Sequence, residues 1–432
     1  MRMKKMFRIL LTSAFITALM LTGCGKTTDV DKTETSGTTS GTKETTQTSS
    51  EPAVTKIVIF QSKVEIVDQL KALAAEYQKE KGIEVEVWET TGDDYLQQLK
   101  IRLGNNQGPT LFSLAPGSES EDLKAYLADL SDLSFVSGIA ENMADEKDGK
   151  VVGIPYTVEG FGVVYNKNLI DASKVTTADE FISMLKEQQG AGVNGFSLSQ
   201  ESYFLIGHIL NTPFALQEDP KTFVEQLIVG EVTMQETEEF IEFAKVMEAV
   251  REYTNNPLEV TYDKETGDFA TGKSASIHQG NWAYGMFADY DVDFEMAMMP
   301  LPISGNDSLA VSVPAGWYVN SQVSEAEIQA GKDFLEWLYT SETGKRYITE
   351  EFGFIPVVEG IESSELDPLS QAVNEFTAAG KTIPWPMNSY WPAGIVDVYL
   401  VPVAQEFFTT EMTGEEFLVK LTEAFVQAGQ NQ

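Results

Sequence analysis

The amino-acid sequence predicts an α/β protein with two domains, each built on a mainly parallel β-sheet flanked by helices. The chain has 432 residues, which is enough for two domains of roughly 150 to 200 residues each. Its folded part, from residue 55 onward, begins with alternating strand-like and helix-like segments. A β-α-β-α-β order favours parallel strands that are covered by helices.

The individual elements follow from hydrophobic spacing. A β-rich run, KIVIF, occupies 56–60, and an alternating run, IEVEVW, occupies 83–88. Between them, apolar residues from 66 to 77 recur with the spacing of an amphipathic helix. Further predicted helices cover 95–103, 123–127, 178–189, 204–210, 223–229, 237–253, 334–338 and 417–425, and further strands cover 111–114, 276–278, 294–299 and 317–319.

Ligand contacts are expected where the first strands end. Ligands on open parallel sheets bind beyond the carboxyl ends of the strands. Those ends are residues 61–63, 89–93 and 115–117. The candidate contacts there are Gln61, Lys63, Asp93 and Pro116.

Charge and composition exclude several classes of function. The chain has 30 Lys and Arg against 66 Asp and Glu, for a formal net charge of −36. A surface this acidic repels phosphate backbones, so we expect no nucleic-acid partner. With one cysteine and two histidines, we expect neither an intrachain disulfide nor a zinc site, and no cofactor.

The first 23 residues have the pattern of a targeting signal. A basic start is followed by a mostly apolar run at 9–21, which is too short to span a bilayer. The run ends in LTGC at 21–24, which resembles the lipobox of bacterial lipoproteins. That resemblance implies cleavage before Cys24, a diacylglycerol on its thiol, and a lipid anchor on the extracellular or periplasmic face of the cell membrane. The alternative is an ordinary secretory signal with a chance cysteine.

The segment that follows is too polar to fold. Residues 25–50 are rich in Thr and Ser, and Val30 is their only large apolar residue. Such a composition cannot bury a core. We therefore predict that 24–54 is the lipidated cysteine with a disordered tether.

Several motifs, each weak alone, together resemble one protein family. The chain contains DGKVVGIPY at 148–156 and GVVYNK at 162–167, followed in order by FATGKSA (269–275), GNW (280–282), MPLP (299–302), FLEWL (334–338) and GFIP (353–356). This order is similar to that of extracellular solute-binding proteins of the maltose-binding-like type, which serve carbohydrate ABC importers. The resemblance covers roughly residue 56 to the end of the chain.

The resemblance implies a two-lobed fold with the ligand in the cleft between the lobes. It implies chain crossings near Val158 and Glu159, near Ala275 and near Pro314. Lobe one would then be 55–158 plus 275–313, and lobe two 159–274 plus 314–432. A carbohydrate would draw the lobes together by hinge closure. The partners would be that carbohydrate and the transmembrane subunits of an ABC permease, and we expect a monomer.

Aromatic residues in loops are the best candidates for the ligand site. Sugars offer flat C–H faces and directional hydroxyls, so aromatic platforms next to polar groups suit them. Trp282 follows Gln279 and Asn281 in a short polar loop, while Glu159 and Tyr156 lie at the implied hinge. The remaining candidates are Trp317, Trp385, Tyr390 and Trp391. The alternative is that these rings are core residues, as we expect for Trp337.

One motif is misleading. Residues 267–274, GDFATGKS, match the phosphate-loop pattern. A phosphate cradle needs a buried strand before it and a helix after it, whereas the preceding residues are polar and Asp268 adds a negative charge. We therefore expect only a turn between a helix and a strand.

Two rival functions remain open. A polyamine or peptide receptor would hold a cation between aromatic rings and carboxylates such as Asp93 or Glu159. A secreted carbohydrate-acting enzyme would need two carboxylates at a set separation, which a sequence cannot supply. Neither histidine favours catalysis: His208 lies in an apolar helical run as a packed or capping residue, and His278 could offer one hydrogen bond near the cleft. We predict a binding protein rather than an enzyme.

Overall fold

A computed structural model describes residues 54–88, 94–141, 143–288, 290–363 and 366–430. Cys24, the predicted tether and Asp93 lie outside this range. Within it, no helix is both long enough and apolar enough to cross a membrane.

The described strands form two separate sheets. The strands are β1 (Lys56–Phe60), β2 (Glu84–Trp88), β3 (Leu111–Leu114), β4 (Asp145–Lys147), β5 (Lys150–Pro155), β6 (Glu159–Asn166), β7 (Ser276–Gly280), β8 (Met296–Met299), β9 (Leu309–Ser312), β10 (Gly316–Val319) and β11 (Thr382–Ile383). The order in the first sheet is β2-β1-β3-β10-β5-β4, and in the second it is β11-β9-β6-β7, with β8 also pairing with β6.

Helices cover these sheets, as the sequence predicted. They are α1 (Val67–Lys81), α2 (Tyr95–Gly104), α3 (Ser118–Asp122), α4 (Ala178–Gly190), α5 (His208–Ala215), α6 (Pro220–Ile228), α7 (Glu238–Tyr253), α8 (Tyr262–Ala270), α9 (Glu325–Thr340), α10 (Glu342–Arg346), α11 (Pro368–Ala378), α12 (Pro386–Ser389), α13 (Val401–Thr409) and α14 (Gly414–Gln430). Several begin at a side chain that caps the first turn. At α4, Thr177 accepts from the Glu180 N–H in a reciprocal capping box, and Ser324 does the same at α9.

Both sheets are mixed rather than mainly parallel, which corrects that part of the prediction. In the first sheet β1 is parallel to β2 and β3, but β10 is antiparallel to β3 and β5, and β4 is antiparallel to β5. In the second sheet β6 is antiparallel to β7, β8 and β9, and β11 is parallel to β9. β8 and β9 pair with successive parts of β6, at 163–166 and 159–161, and both run opposite to it. The long β6 therefore serves as the central strand for later segments of the chain.

Strand pairing corrects the predicted division into lobes. Residues 275–313 were expected in lobe one, yet Ser276 to Gly280 pair with β6 from Tyr165 to Phe161. In turn, β10 lies between β3 and β5 in the first sheet. Strand pairing and core packing therefore place the described residues of 54–157 and 314–361 in lobe one, and those of 158–313 and 366–430 in lobe two. Sequence alone could not assign β7, β8 and β9, because pairing partners are not encoded in local patterns.

Each lobe has its own hydrophobic core. Ile59, Tyr156 and Leu335 are among the residues buried on one face of the first sheet. Phe161, Phe243 and Phe425 are among those buried in lobe two. Two smaller clusters cover the opposite faces of the sheets.

Local structure differs from the predictions at three places. The predicted helix at 123–127 is a single 3-10 turn, Lys124–Tyr126, that follows α3. The run at 204–210 begins as a π-helical turn, Tyr203–Gly207, before α5. The segment that carries Trp385, Tyr390 and Trp391, expected as loop, contains α12, with Pro386 at the first helical position, where its missing N–H costs nothing.

The phosphate-loop match is a helix end. Gly267 lies inside α8, and the Lys273 ammonium pairs with the Asp268 carboxylate at 3.1 Å. The segment after α8 turns directly into β7. The expected helix-to-strand turn is therefore present.

Candidate functional site

The two lobes face each other across a cleft and touch at a few polar contacts. Lys63 of lobe one forms an ion pair with Glu159 of lobe two, at 2.7 Å. The Tyr262 hydroxyl donates to Glu65 Oε1 at 3.4 Å. At a second point the Ser118 hydroxyl donates to the Asn388 carbonyl at 3.1 Å.

Backbone packing at that second point requires a glycine. Gly117 has a φ of +106°, and a Cβ there would lie 2.6 Å from the Asn388 carbonyl oxygen. Any side chain at 117 would therefore both strain the backbone and push α12 away. The neighbouring Pro116, a predicted contact, is half-buried beside this point.

The Lys63–Glu159 pair is almost removed from solvent. The two side chains are 12% and 3% exposed. Burial alone would lower the pKa of Lys63, but the Glu159 and Glu65 carboxylates outweigh it and raise that pKa above its ordinary value. Burial raises the pKa of Glu159, and the Lys63 ammonium opposes this shift. The 2.7 Å distance and the raised pKa of Lys63 are those of an ion pair.

Gln61 shapes the turn that presents Lys63. Its side-chain oxygen accepts from the Lys63 N–H at 2.5 Å, and its amide donates to the Lys63 carbonyl at 2.8 Å. Gln61 is 2% exposed, so its polar atoms are used inside the protein. The prediction that Gln61 contacts ligand is replaced by this supporting role.

An aromatic row lies next to the interlobe contacts in lobe two. The Trp282 and Phe204 rings are stacked at 21° with centroids 6.4 Å apart, and Phe204 lies 4.6 Å from Tyr262. The Lys63 ammonium lies 5.8 Å from the centre of the Trp282 ring. Trp282 is half-buried, so part of its ring stays accessible in the cleft. We call Tyr262, Phe204 and Trp282 the aromatic row.

Two hydrogen bonds in series hold the indole of Trp282. Its Nε1–H donates to Gln279 Oε1 at 2.9 Å, and Gln279 Nε2 donates to Glu265 Oε2 at 2.7 Å. A Cβ at Gly280 would lie 2.1 Å from the Trp282 ring. Glycine is therefore required at 280 by the tryptophan itself.

A cavity of about 980 Å³ lies near the aromatic row, whose three residues are not part of its wall. Glu201 links the two, since it lines the cavity and accepts from the Tyr262 N–H at 3.0 Å. The wall combines carboxylates and amides with a few apolar groups: Asp94 from lobe one, and Gln200, Glu201, Leu258, Pro402, Gln405, Glu406 and Thr409 from lobe two. The volume and polarity suit a small polar ligand of several rings.

Several predicted contacts are core residues. Tyr156 and Trp317 are each 1% exposed, and their rings lie 4.1 Å apart in the core of lobe one. Trp391 is also 1% exposed and packs against Phe214 and Phe425. These three rings offer no surface to a ligand, which corrects their assignment. Chain position alone did not distinguish them from Trp282.

Other predicted contacts lie behind the cleft surface. Gln279 is 0% exposed, with its amide used as described above. Asn281 Oδ1 accepts from the Gly160 N–H at 3.0 Å, and its Nδ2 donates to the Ser370 hydroxyl at 3.2 Å. Trp385, 2% exposed, packs edge-on against Trp282. Tyr390 is 40% exposed and next to α12.

Both histidines are packed against the aromatic residues. His208 lies 5.2 Å from the Trp282 ring, as the packed residue that was expected, and burial lowers its pKa well below the usual value. His278 is 0% exposed, and burial lowers its pKa to about 3. His278 therefore stays neutral and does not reach the cleft, unlike the hydrogen-bond donor considered from sequence.

Phe204, Tyr262, Glu65 and Glu201 were not predicted from the sequence. Phe204 falls in a predicted helical segment, where an aromatic residue is ordinarily core, and Tyr262 falls in the polar stretch before the phosphate-loop match. The π-helical turn at Tyr203–Gly207 is typical of functional sites, but it leaves no local sequence signal.

Comparison with known proteins places this geometry in context. A family model described as bacterial extracellular solute-binding protein matches residues 72–378. The chain is 24% identical over 380 residues to the melibiose/raffinose/stachyose-binding protein MelE of Bacillus subtilis, which covers 82% of this chain and 85% of that protein. It is 25% identical over 353 residues to a maltooligosaccharide ABC transporter solute-binding lipoprotein of Streptococcus pneumoniae, covering 78% and 77% of the two.

A solved structure has the same fold. The solute-binding protein RafE in complex with raffinose superposes with a TM-score of 0.74 at 19% identity, covering 87% of this chain and 99% of that chain. The likeness confirms the predicted two-lobed α/β fold.

Proposed function

This chain belongs to the bacterial extracellular solute-binding proteins, and we propose that it captures a sugar or oligosaccharide for an ABC importer. One observation carries the proposal: half-buried Trp282, stacked with Phe204, lies beside the Lys63–Glu159 contact between the lobes, and Glu201 connects the aromatic row to a polar cavity. Aromatic faces suit the C–H faces of a sugar, and carboxylates and amides suit its hydroxyls. The names of the two sequence relatives support this class of ligand.

Capture would proceed by closure of the lobes around the ligand. The contacts between Lys63 and Glu159, and between Tyr262 and Glu65, join the lobes beside the aromatic row. A ligand that contacts both lobes binds the closed form better, so it shifts the population toward closure. A permease that prefers the closed form would then receive loaded protein, because the two binding events are coupled.

The ligand class is tested by isothermal titration calorimetry. Melibiose, raffinose, stachyose and maltotriose would be titrated into the protein, with spermidine and a short peptide in parallel. We expect at least one sugar to bind with a Kd of about 1 μM, equivalent to about −8 kcal/mol. Binding of none of these sugars, with tight binding of spermidine or peptide, would contradict the proposal.

A polyamine is the second candidate, and the cavity wall is the reason. Asp94, Glu201 and Glu406 all line the cavity, and a polyamine would pair with such carboxylates beside aromatic rings. Glu406, however, is already paired with Lys420 at 2.7 Å. The remaining charge is modest, and a sugar uses the same carboxylates as hydrogen-bond acceptors.

Catalysis is tested separately. The sequence relatives are binding proteins, and we propose that this chain leaves its ligand intact. Incubation with the oligosaccharides that bind, followed by chromatography, should return them unchanged. Stoichiometric recovery of cleaved products would instead indicate a carbohydrate-acting enzyme.

We also propose that Cys24 anchors the protein by lipid to the outer face of the cell membrane. The LTGC motif at 21–24 and the polar segment at 25–50 support this, since a tether would let the lobes reach a membrane-embedded permease. Cys24→Ser should release the protein from the membrane fraction into the soluble fraction or the medium. Gly23→Ala is a suitable control, because it keeps the thiol and a small residue before it. Retention of the Cys24→Ser protein on the membrane would refute the anchor.

The protein is proposed to act as a monomer. Light scattering before and after ligand addition checks this. A dimer that forms only with ligand would require a different account of delivery.

A further inference from the structure

Glu265 is a buried acid to which the proposed function assigns no role. It lies on α8 and is 0% exposed. Burial raises its pKa well above the ordinary value, and the hydrogen bond from Gln279 opposes that shift. A buried carboxyl is expensive compared with an apolar residue of similar volume. Its place in the molecule therefore calls for a specific contact that an apolar residue could not make.

That contact leads in two steps to the cleft. Gln279 Nε2 donates to Glu265 Oε2 at 2.7 Å, and Gln279 Oε1 accepts from the Trp282 indole N–H at 2.9 Å. The indole nitrogen can only donate, so Gln279 must turn its oxygen toward Trp282. Its NH₂ group then faces α8, where it needs an acceptor. Glu265 supplies that acceptor.

The two bonds fix the orientation of the tryptophan ring. Without an acceptor at 265, the Gln279 amide would leave a buried NH₂ group unsatisfied and would gain by rotating. Rotation would place that NH₂ group against the indole N–H, two donors facing each other. The Trp282 ring, which stacks with Phe204 at 6.4 Å and lies 5.8 Å from the Lys63 ammonium, would then lose its anchor.

We propose that Glu265 is a positioning residue that acts through Gln279 to hold the Trp282 ring in its ligand-binding orientation. The inference rests on the proposed function, because it assigns the orientation of Trp282 to the capture of ligand. A site whose rings are held by supporting hydrogen bonds binds more tightly than one that must order them on binding.

Three variants test the proposal. Glu265→Leu removes the acceptor, whereas Glu265→Gln keeps a carbonyl oxygen for Gln279. Thr266→Val is the matched control, because Thr266 is buried on the same helix and its hydroxyl donates only to backbone carbonyls of α8, at 3.0 Å to Tyr262 and 3.2 Å to Asp263. Each variant would be titrated with raffinose, stachyose and maltotriose, and its melting temperature measured.

We expect Glu265→Leu to weaken binding of the sugar that the wild type prefers by about tenfold, the order expected when a buried hydrogen-bond partner is lost. Glu265→Gln and Thr266→Val should stay within about twofold of the wild type by the same reasoning. Equal losses of affinity in Glu265→Leu and Thr266→Val would overturn the proposal, since both would then act through the stability of α8.

A double-mutant cycle tests the route through Gln279. Gln279→Met removes the amide at similar volume and should itself weaken binding. Adding Glu265→Leu to Gln279→Met should cost nothing further, because the chain of bonds is already broken. Additive losses would show that Glu265 acts by another route. If Glu265→Leu fails to fold, Glu265→Met, which also removes the acceptor but keeps an unbranched side chain of similar volume, takes its place in the same cycle.

A readout without ligand separates this proposal from the proposed function. The indole ¹H–¹⁵N resonance of Trp282, assigned with Trp282→Phe, reports the hydrogen bond to Gln279. It should shift in Glu265→Leu and stay in place in Glu265→Gln. If no sugar binds the wild type but the resonance behaves this way, the ligand assignment fails and the positioning role stands. An unmoved resonance in Glu265→Leu would refute the positioning role whatever the ligand.

Discussion

At the scale of single residues, the proposed binding of sugar depends most on Trp282. It is half-buried, stacked with Phe204, and hydrogen-bonded at its indole to Gln279. Trp282→Ala should weaken sugar binding by about 2 kcal/mol or more, the scale of an aromatic hot spot. The loss of stability should be smaller than the 3–5 kcal/mol or so that follows from truncating a fully buried tryptophan. Calorimetric titration and urea unfolding of the same preparation measure both.

Trp391→Ala is the matched control for that prediction. Trp391 is 1% exposed in the core of lobe two, so its truncation should cost about 3–5 kcal/mol of stability. Ligand affinity of the folded fraction should stay near the wild-type value. The reverse pattern, with Trp282→Ala affecting stability alone, would remove Trp282 from the site.

Sequence patterns predicted that tryptophan and charged side chains form the site, but they could not predict which of the tryptophans lie there. Lys63, Glu159 and Trp282 were predicted and lie at the cleft. Trp317 and Trp391 follow the same turn-like signals and yet are core residues. The difference comes from which sheet each segment joins, and that depends on contacts far apart in the chain.

At the scale of elements, the short helix α3 carries a carboxyl group that makes the stability of the protein depend on pH. Glu119 on α3 accepts from the Ala115 N–H at 2.9 Å and is half-buried. Burial raises its pKa to about 7, Asp397 of lobe two and Asp122 add to the shift, and the Ala115 N–H and Lys100 oppose it. Between about pH 4.5 and pH 7 the folded protein therefore holds a proton on Glu119 that the unfolded chain has lost.

This proton makes the free energy of unfolding depend on pH. Since the folded pKa is above the ordinary 4.5, the contribution of Glu119 to stability falls as pH rises from about 4.5 to about 7. The loss of stability that comes from ionising the buried Glu119 carboxyl is absent below that range and complete above it. Glu119→Gln should thus stabilise the protein relative to the wild type increasingly across this range, with no further change at higher pH. The test compares the melting temperatures of Glu119→Gln and the wild type at pH 4.5 and at pH 7.5. If the two proteins differ by the same amount at both pH values, the raised pKa of Glu119 is contradicted.

The elements themselves were largely predictable. Strands β1, β2 and β3 and helices α1, α4 and α7 match the predicted segments closely, because their hydrophobic spacing is regular. The antiparallel pairs around β6 were not predictable. Nor was α12, where prolines suggested loop although one of them starts a helix.

At the scale of the whole molecule, the Lys63–Glu159 pair joins the two lobes. Lys63→Met leaves the buried Glu159 carboxylate without its cation and should cost about 3–5 kcal/mol of stability. Glu159→Gln leaves the buried Lys63 ammonium without its anion and should cost about as much. The double substitution should cost much less than the sum of the single ones. Urea unfolding of the four proteins gives this coupling, and additive losses would mean that the pair does not act as a unit.

The pair also predicts how the molecule behaves in alkali. The Lys63 pKa is raised above 10.5, so its contribution to stability is complete below that pH and is lost as pH rises through the raised value. Lys63→Met should therefore differ least from the wild type in strong alkali. A constant difference up to pH 12 would place the stabilising contact elsewhere.

The two-lobed architecture was predictable from the order of several weak motifs, whereas the lobe boundaries were not. The motifs identify the family, but the path between lobes depends on whether β7 and β10 pair with β6 or with β3. Packing over the whole chain determines these strand pairings. Local sequence therefore predicted the family and its two-lobed fold better than it predicted which strands pair.

The central claim is that a sugar binds between the lobes against Trp282. The most direct measurement is a crystal structure of the complex with the sugar that binds most tightly in calorimetry. We expect a sugar ring packed on the accessible part of Trp282, with hydroxyls bonded to groups of the cavity wall such as Glu201 and Gln405 and with both lobes in contact with the ligand. A sugar bound outside the cleft, or in the cleft without touching Trp282, would contradict it.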